Sequence, residues 1–376
     1  MVGPRRLRTV FIDAGPLCER HLTGIGRYTA RLALALKALP DCELRFAVGD
    51  DEVVPSPSLD WSQDQDLARW AKAVWRGRRV PLAEAGVADD CLGLFCCQRP
   101  SVRRFPFEVS VLHDFTPLIV PWTHTPRNVR QFQEFFAGDL LHSDAAVADS
   151  KSTKADARWL CDFPPEKIVV APCGPSLCVE RHLHDSAVVR RPEVGLVVST
   201  LEPRKNPFFL LDWFKTTDAL PEGSELWWVG PAGWLMPSRK LRSYAKIDAR
   251  GHRVRFLGKV SDAELCRLYQ TAGWSAYPSL YEGFGLPVLD ALRHGTPVLA
   301  SDHSALRELD HPGVHYFDPY DADTVDAAWR SLRDGGPVVA TRQVLDTLYR
   351  WDAVARIVLD LPDRLTAKAG VSTMAA

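Results

Sequence analysis

Three groups of residues in this sequence have the types and spacing to do chemistry. The first runs Pro278-Ser279-Leu280-Tyr281-Glu282-Gly283-Phe284-Gly285-Leu286-Pro287-Val288-Leu289-Asp290-Ala291. Its two glycines stand between an apolar run, Trp274 to Tyr277, and a helical pattern, Val288 to Arg293. Glycines there let the backbone approach a ligand and aim N–H groups at it, at the positive end of a helix dipole. Pro287 suits the first turn, where a missing N–H costs nothing. Glu282 and Asp290 put a carboxylate on either side of the loop. A phosphate cradle flanked by acceptors for hydroxyl pairs fits a nucleotide sugar. By itself the loop reads equally as a strand-to-helix turn with Asp290 favouring the helix N-terminus. The second group is Arg204-Lys205, between the strand Val194 to Ser199 and the helix Phe208 to Phe214. Preorganised cations there stabilise the charge that grows on a departing diphosphate; the plainer reading is two solvated charges. The third is His113-Asp114, at the end of the strand Val109 to Leu112, where open α/β sheets bind ligands.

These groups need a scaffold that brings strand ends together. Short apolar runs alternate with amphipathic helices along the chain, which argues for parallel sheets covered on both faces. The expected strands are 10–12, 44–48, 109–112, 145–148, 168–170, 194–199, 225–230, 254–257, 274–277 and 297–301, with 314–317 at an edge. Residues 50–66 read as loop. Thr23-Gly24-Ile25-Gly26-Arg27-Tyr28 reads as a glycine loop ahead of a helix from Ala30 to Leu39. Ser150 or Ser152 caps one helix, and Ser261 with Glu264 forms a capping box for another. Arg127 to Leu141 reads as one amphipathic helix packed on the core; with Arg103-Arg104 and Trp122 nearby, a membrane-surface role is its rival. Thr341 to Leu359 is expected to be one long helix. Residues 179–192 break the alternation and mark a linker. His182 and His184 lie there without a third ligand and read as solvated.

The 376 residues suffice for two to three domains. A formal net charge of −1 gives no ground for nucleic-acid partners. No apolar run approaches a membrane span, and Thr9 to Ile12 is too short for a signal-peptide core, so a cytoplasmic protein is expected. Nine cysteines without a Cys-x2-Cys pair suggest reduced thiols in cores. The Asp-x-Asp strings at Asp64 and Asp321 fall in a loop and at a helix start, and no metal site is assigned.

The stretch around Glu282 resembles the signature of family 4 glycosyltransferases, retaining enzymes of the GT-B fold. Their two glutamates enclose seven residues; here Glu282 keeps the first position and Asp290 is one methylene shorter at the second. The Thr23–Tyr28 stretch, His113-Asp114 with Pro117 and Pro121, and Thr200-Leu201-Glu202-Pro203-Arg204-Lys205-Asn206 also resemble family motifs. The likeness runs from Phe11 to about Leu359. It implies an α/β GT-B architecture of two doubly wound Rossmann-like domains facing across a cleft. The implied division is 1–180 on the acceptor side, a linker at 181–192, and a nucleotide-sugar domain at 193–351, with a terminal helix at about 352–376 packing back on the first domain. It also implies roles. Arg204 and Lys205 hold the diphosphate. The N–H groups of Phe284, Gly285 and Leu286 cap phosphate or sugar. Glu282 binds sugar hydroxyls, Asp290 the ribose, and Lys259 and Val260 approach the base. The Gly24–Gly26 loop faces the donor phosphate, and His113 contacts the transferred sugar.

The resemblance therefore implies transfer of a hexose with retention from a nucleotide sugar, without a cofactor or metal, to a saccharide or lipid-linked acceptor in surface polysaccharide synthesis. The motif strings lean toward mannosyltransferases, so GDP-mannose is the first donor expected, with UDP-glucose, UDP-galactose and GDP-deoxysugars open. Peripheral contact with the inner membrane face stays open too. Two rivals of other classes are a nucleotide-sugar epimerase, whose acid/base carboxylates are not placed, and a non-catalytic nucleotide-sugar-binding module, against which His113 and Glu282 speak.

Overall fold

The structure, a computed structural model, describes residues 7–18, 22–62, 66–176, 188–335 and 342–374. The chain forms two compact units. The first comprises residues 1–114, 131–176 and 349–376; the second comprises 115–130 and 177–348. The expected linker at 181–192 lies largely outside the described residues, as do His182, His184 and Asp64. Phe115–Arg130 groups with the second unit, and the C-terminal segment of the first unit begins at residue 349. Within that unit, the Trp234 indole donates to the Thr123 carbonyl at 2.9 Å, and its ring lies 5.8 Å from His124.

The first unit is built on eight strands. They are β1 (Arg8–Asp13), β2 (Cys42–Val48), β3 (Asp51–Val54), β4 (Arg78–Pro81), β5 (Leu92–Phe95), β6 (Phe107–Leu112), β7 (Ala145–Ala148) and β8 (Ile168–Val170). Their order is β4-β3-β2-β1-β5-β6-β7-β8. All neighbours run parallel except β3, which is antiparallel to both β2 and β4. The loop expected at 50–66 therefore contains a strand, followed by a helix at Leu67–Trp75 that Asp66 caps. Asp51–Val54 has only two buried residues and adds an edge hairpin, so a polar count missed it. β5 is four buried residues, too short for periodicity to separate from a turn.

The second unit carries β9 (Arg191–Val198), β10 (Glu225–Val229), β11 (Arg253–Gly258), β12 (Ala272–Tyr277), β13 (Val298–Ser301) and β14 (Val314–Phe317). The order is β11-β10-β9-β12-β13-β14, all parallel, with β14 at an edge as expected. Trp228, Trp274, Phe214 and Leu211 fill its core. Gly195 of β9 is required by packing, since a Cβ there would meet the Trp274 ring at 2.4 Å.

Three helices depart from expectation. Gly24–Lys37 begins at the glycines themselves, with the Thr23 hydroxyl accepting from the Gly26 N–H at 3.3 Å; the expected loop is thus a capped first turn. The segment expected as one helix at 127–141 is Pro126–Gln131, a π-helical turn Phe132–Phe136, and Ala137–Leu140. The C-terminal stretch breaks at Tyr349–Arg350 into Arg342–Leu348 and Trp351–Met374. In the first unit Trp351 lies against Gly174, where a Cβ would meet its ring at 2.5 Å, and its indole donates to the Pro175 carbonyl at 2.8 Å. Asp321 caps the helix Ala322–Asp334. Ser150 and Ser261 cap their helices as expected.

Candidate active site

In the second unit, β9 continues to β10 and β11 on one side, while β12 adds on the other. The sheet order therefore reverses at β9/β12, the position at which open α/β sheets in general place their ligand crevices. Arg204 and Lys205 follow β9, and Glu282 follows β12, so residues nearly eighty positions apart meet. Glu282 accepts from Arg204 Nη1 at 2.9 Å and from Lys205 Nζ at 2.5 Å. Arg204 Nε also donates to Glu202 at 3.0 Å. The two loops are further joined by the Leu280 N–H donating to the Arg204 carbonyl at 2.9 Å. The Glu282 N–H donates to the Ser304 hydroxyl at 2.8 Å; Ser304 is held at φ +51°. Burial opposes ionisation of Glu282, but Lys205 and Arg204 outweigh it and hold the carboxyl down at about 2.

The structure brings three of the residues singled out from sequence into one cluster. Arg204, Lys205 and Glu282 are brought together, but the cations are already balanced by Glu202 and Glu282. Glu202 was not singled out from sequence; the signal was its place two residues before Arg204 at a strand end.

Phe284, Gly285 and Leu286 enter the helix Leu286–Arg293. Gly285 stands at φ +115°, a region L side chains avoid, so glycine is required by the backbone itself. Asp290 sits in that helix at 3 % exposure. Its carboxylate adds to the burial that drives the Tyr269 phenol well up. Tyr269 and Tyr277 both donate to the Pro287 carbonyl at 3.2 Å and so fix the helix start. Lys259 is exposed and Val260 partly so, at the end of β11, the far edge of the sheet.

The first unit has its own cluster. β5, β6 and β7 are consecutive neighbours, and their carboxyl ends carry Cys96, His113 and Asp149. His113 Nδ1 meets Asp149 Oδ2 at 2.6 Å, and Nε2 meets the Cys96 carbonyl at 2.8 Å. The Tyr28 ring stands edge-on to the imidazole at 4.7 Å and to Trp351 at 5.0 Å. Burial works against a charge on His113, yet Asp149 outweighs it and raises its pKa. Asp149, 4 % exposed, was not singled out from sequence, where only Ser150 or Ser152 after it was marked as a helix cap. Gly26 is required by packing, since a Cβ there would meet the Pro16 carbonyl at 2.8 Å, whereas a Cβ on Gly24 meets open space.

An open α/β sheet whose reversal point gathers an arginine, a lysine and a glutamate beside a glycine-capped helix defines a class of protein that handles anionic, hydroxyl-bearing ligands. The comparisons make the class specific. A family profile described as glycosyl transferases group 1 matches residues 192–334. The chain is 40 % identical over 360 residues to an MMP alpha-(1->4)-mannosyltransferase of Mycolicibacterium hassiacum, covering 87 % of this chain and 81 % of that protein. It is 26 % identical over 347 residues to O-antigen chain mannosyltransferase B of Escherichia coli, covering 83 % and 88 %. The sucrose-phosphate synthase of Thermosynechococcus elongatus superposes with a TM-score of 0.64 at 18 % identity, covering 96 % of this chain and all of that one, and shares the fold. The chain belongs to the group 1 glycosyltransferases and has the GT-B fold. Among the described residues, no helix is long and apolar enough to cross a membrane.

Proposed function

We propose that the protein transfers a mannosyl group from a nucleoside-diphosphate mannose, GDP-mannose first, to a saccharide acceptor in polysaccharide or glycoconjugate synthesis, with retention of anomeric configuration. Support for the sugar comes from the two mannosyltransferases that align over most of the chain. The observation that carries the reaction class is the convergence of Arg204 and Lys205 on Glu282 at the sheet reversal. Two cations on rigid turns can take up charge on the departing diphosphate. A carboxylate released from them can then accept sugar hydroxyls. In this reading arginine and lysine supply the positive charge and no metal is needed. His113 and the first turn at Gly24–Gly26 serve the sugar and acceptor, Asp290 the ribose, and Lys259 and Val260 the base. A lipid-linked acceptor would bring the protein to the cytoplasmic membrane face.

The test is transfer from GDP-mannose, UDP-glucose, UDP-galactose and a GDP-deoxysugar to mannoside acceptors in the presence of EDTA, with the product anomer read by NMR. The reading expects an α-mannoside from GDP-mannose at an undiminished rate. A β-linked product refutes retention, abolition by EDTA refutes metal independence, and turnover of UDP-sugars alone refutes the donor.

A further inference from the structure

Asp149 is assigned no part by the transferase reading, yet its geometry is specific. It is the first residue beyond β7, 4 % exposed, with its N–H fixed on the Leu112 carbonyl at 3.2 Å. The next residue, Ser150, caps the following helix through the Thr153 N–H at 3.0 Å, so the backbone on both sides of Asp149 is held. Thr153 in turn donates its hydroxyl to the His113 carbonyl at 3.2 Å. The carboxylate thus arrives at His113 Nδ1 from a rigid strand end, while the imidazole is walled by the Tyr28 ring.

We propose that Asp149 is the positioning residue of the His113 cluster in the first unit: it holds a proton on Nδ1 of His113 and so fixes the ring with Nε2–H as the donor it presents. The argument is one of hydrogen-bond valence. The Cys96 carbonyl only accepts, so the ring nitrogen at 2.8 Å from it carries a hydrogen. The other nitrogen, 2.6 Å from a carboxylate oxygen, is satisfied by an N–H as well. In this assignment the ring is an imidazolium paired with an ionised Asp149, whose carboxyl burial pushes up while His113 pulls it down. The groups facing the pair are Tyr28 from the helix Gly24–Lys37, Cys96 from the end of β5, and Asp114 beside His113, with Asp13 behind Cys96 and Cys173 behind Tyr28. Burial drives the Tyr28 phenol and the Cys96 thiol well up and keeps them neutral. The charged neighbours are carboxylates, which favour the cation. A ring held in this way offers Nε2–H to a sugar oxygen in exchange for the Cys96 carbonyl without turning over. The catalytic consequence rests on the transferase reading; the placement of the proton rests on the geometry alone.

The experiment uses the full chain with 15N-labelled histidine, His113 being assigned by its loss in His113→Gln. At pH 7 the parent protein is expected to show both His113 nitrogens protonated. Asp149→Asn keeps the shape and removes the charge, and should lower the His113 titration midpoint by more than one pH unit. The same substitution should cut kcat for transfer at least tenfold at pH 8 with the donor KM within threefold. A bare Nδ1 in the parent overturns the proposal without reference to any mutant. An unmoved midpoint in Asp149→Asn overturns it too, and a moved midpoint with unchanged kcat overturns the positioning role. If the parent transfers no sugar at all, the function proposed above fails while the nitrogen signals still decide the proton.

Discussion

Replacing Glu282 by glutamine tests the centre of the second unit, because the carboxylate there is a structural counter-ion as well as a ligand for sugar. The side chains of Arg204 and Lys205 are 15 % exposed and that of Glu282 is 13 % exposed, so the pairs are poorly screened. A carboxyl brought from 4.5 to about 2 corresponds to about 3 kcal/mol of folded-state stabilisation at neutral pH. Glutamine keeps an acceptor for one cation and loses the charge, so Glu282→Gln should unfold about 2–3 kcal/mol more easily in urea at pH 7. The sign with pH follows from a depressed folded value. The contribution is complete above about 4.5 and is lost as pH falls toward about 2. The gap between parent and variant should therefore narrow over that window and be constant above it. A nucleoside diphosphate places negative charge on the same two cations. It should raise the variant's stability at least as much as the parent's, while transfer falls by two orders of magnitude or more. Unfolding free energies within 0.5 kcal/mol of each other at pH 7, or a gap that does not change from pH 5 to pH 3, would refute the counter-ion argument. Weaker nucleotide binding by the variant would refute the exchange of carboxylate for phosphate.

Further outcomes are expected elsewhere. Gly285→Ala places a Cβ 2.7 Å from Leu306 in a backbone region alanine avoids, and should cost about 1–3 kcal/mol in thermal unfolding and weaken nucleotide binding. An unchanged melting temperature would show that the turn relaxes. Glu108→Gln strands the buried Arg99 guanidinium, whose partner also accepts the Arg104 and Phe105 N–H groups at 2.7 and 3.2 Å. A loss of about 3–5 kcal/mol in urea unfolding is expected, and a loss under 1 kcal/mol would contradict it. His252 is fully buried with neither ring nitrogen hydrogen-bonded, and burial lowers its pKa. The unfolded chain therefore binds a proton that the folded chain refuses, and stability falls as pH drops below about 6.5. His252→Phe, beside Phe214, should remove about one proton from that dependence; an identical pH slope in the two proteins would contradict it.

The local layer of this protein is legible in the sequence. Buried strands such as Val109–Leu112 and Ala145–Ala148 show as apolar runs, caps at Ser150 and Ser261 show as hydroxyls before helical patterns, and the turn at Gly283–Gly285 shows as glycines between a strand and a proline. These depend on steric and hydrogen-bonding preferences within a few residues, which the sequence carries directly. Short or edge elements are less visible, because β3 and β5 owe their strand character to neighbours and not to their own pattern. The turns at Arg204–Lys205 and Gly283–Gly285 were also singled out in the sequence, because charge and glycine there stand directly between a strand and a helix. What tertiary structure decided is who meets whom. Arg204 and Glu282 pair because β9 and β12 are adjacent in the sheet, and Cys96, His113 and Asp149 form one cluster because β5, β6 and β7 are successive neighbours. Sheet order comes from burying whole faces against helices far along the chain, so no spacing of 36 or 78 residues encodes it. That is why Asp149 was passed over in the sequence, and why Arg204 and Lys205 read as bare cations when the folded chain has already given them carboxylates.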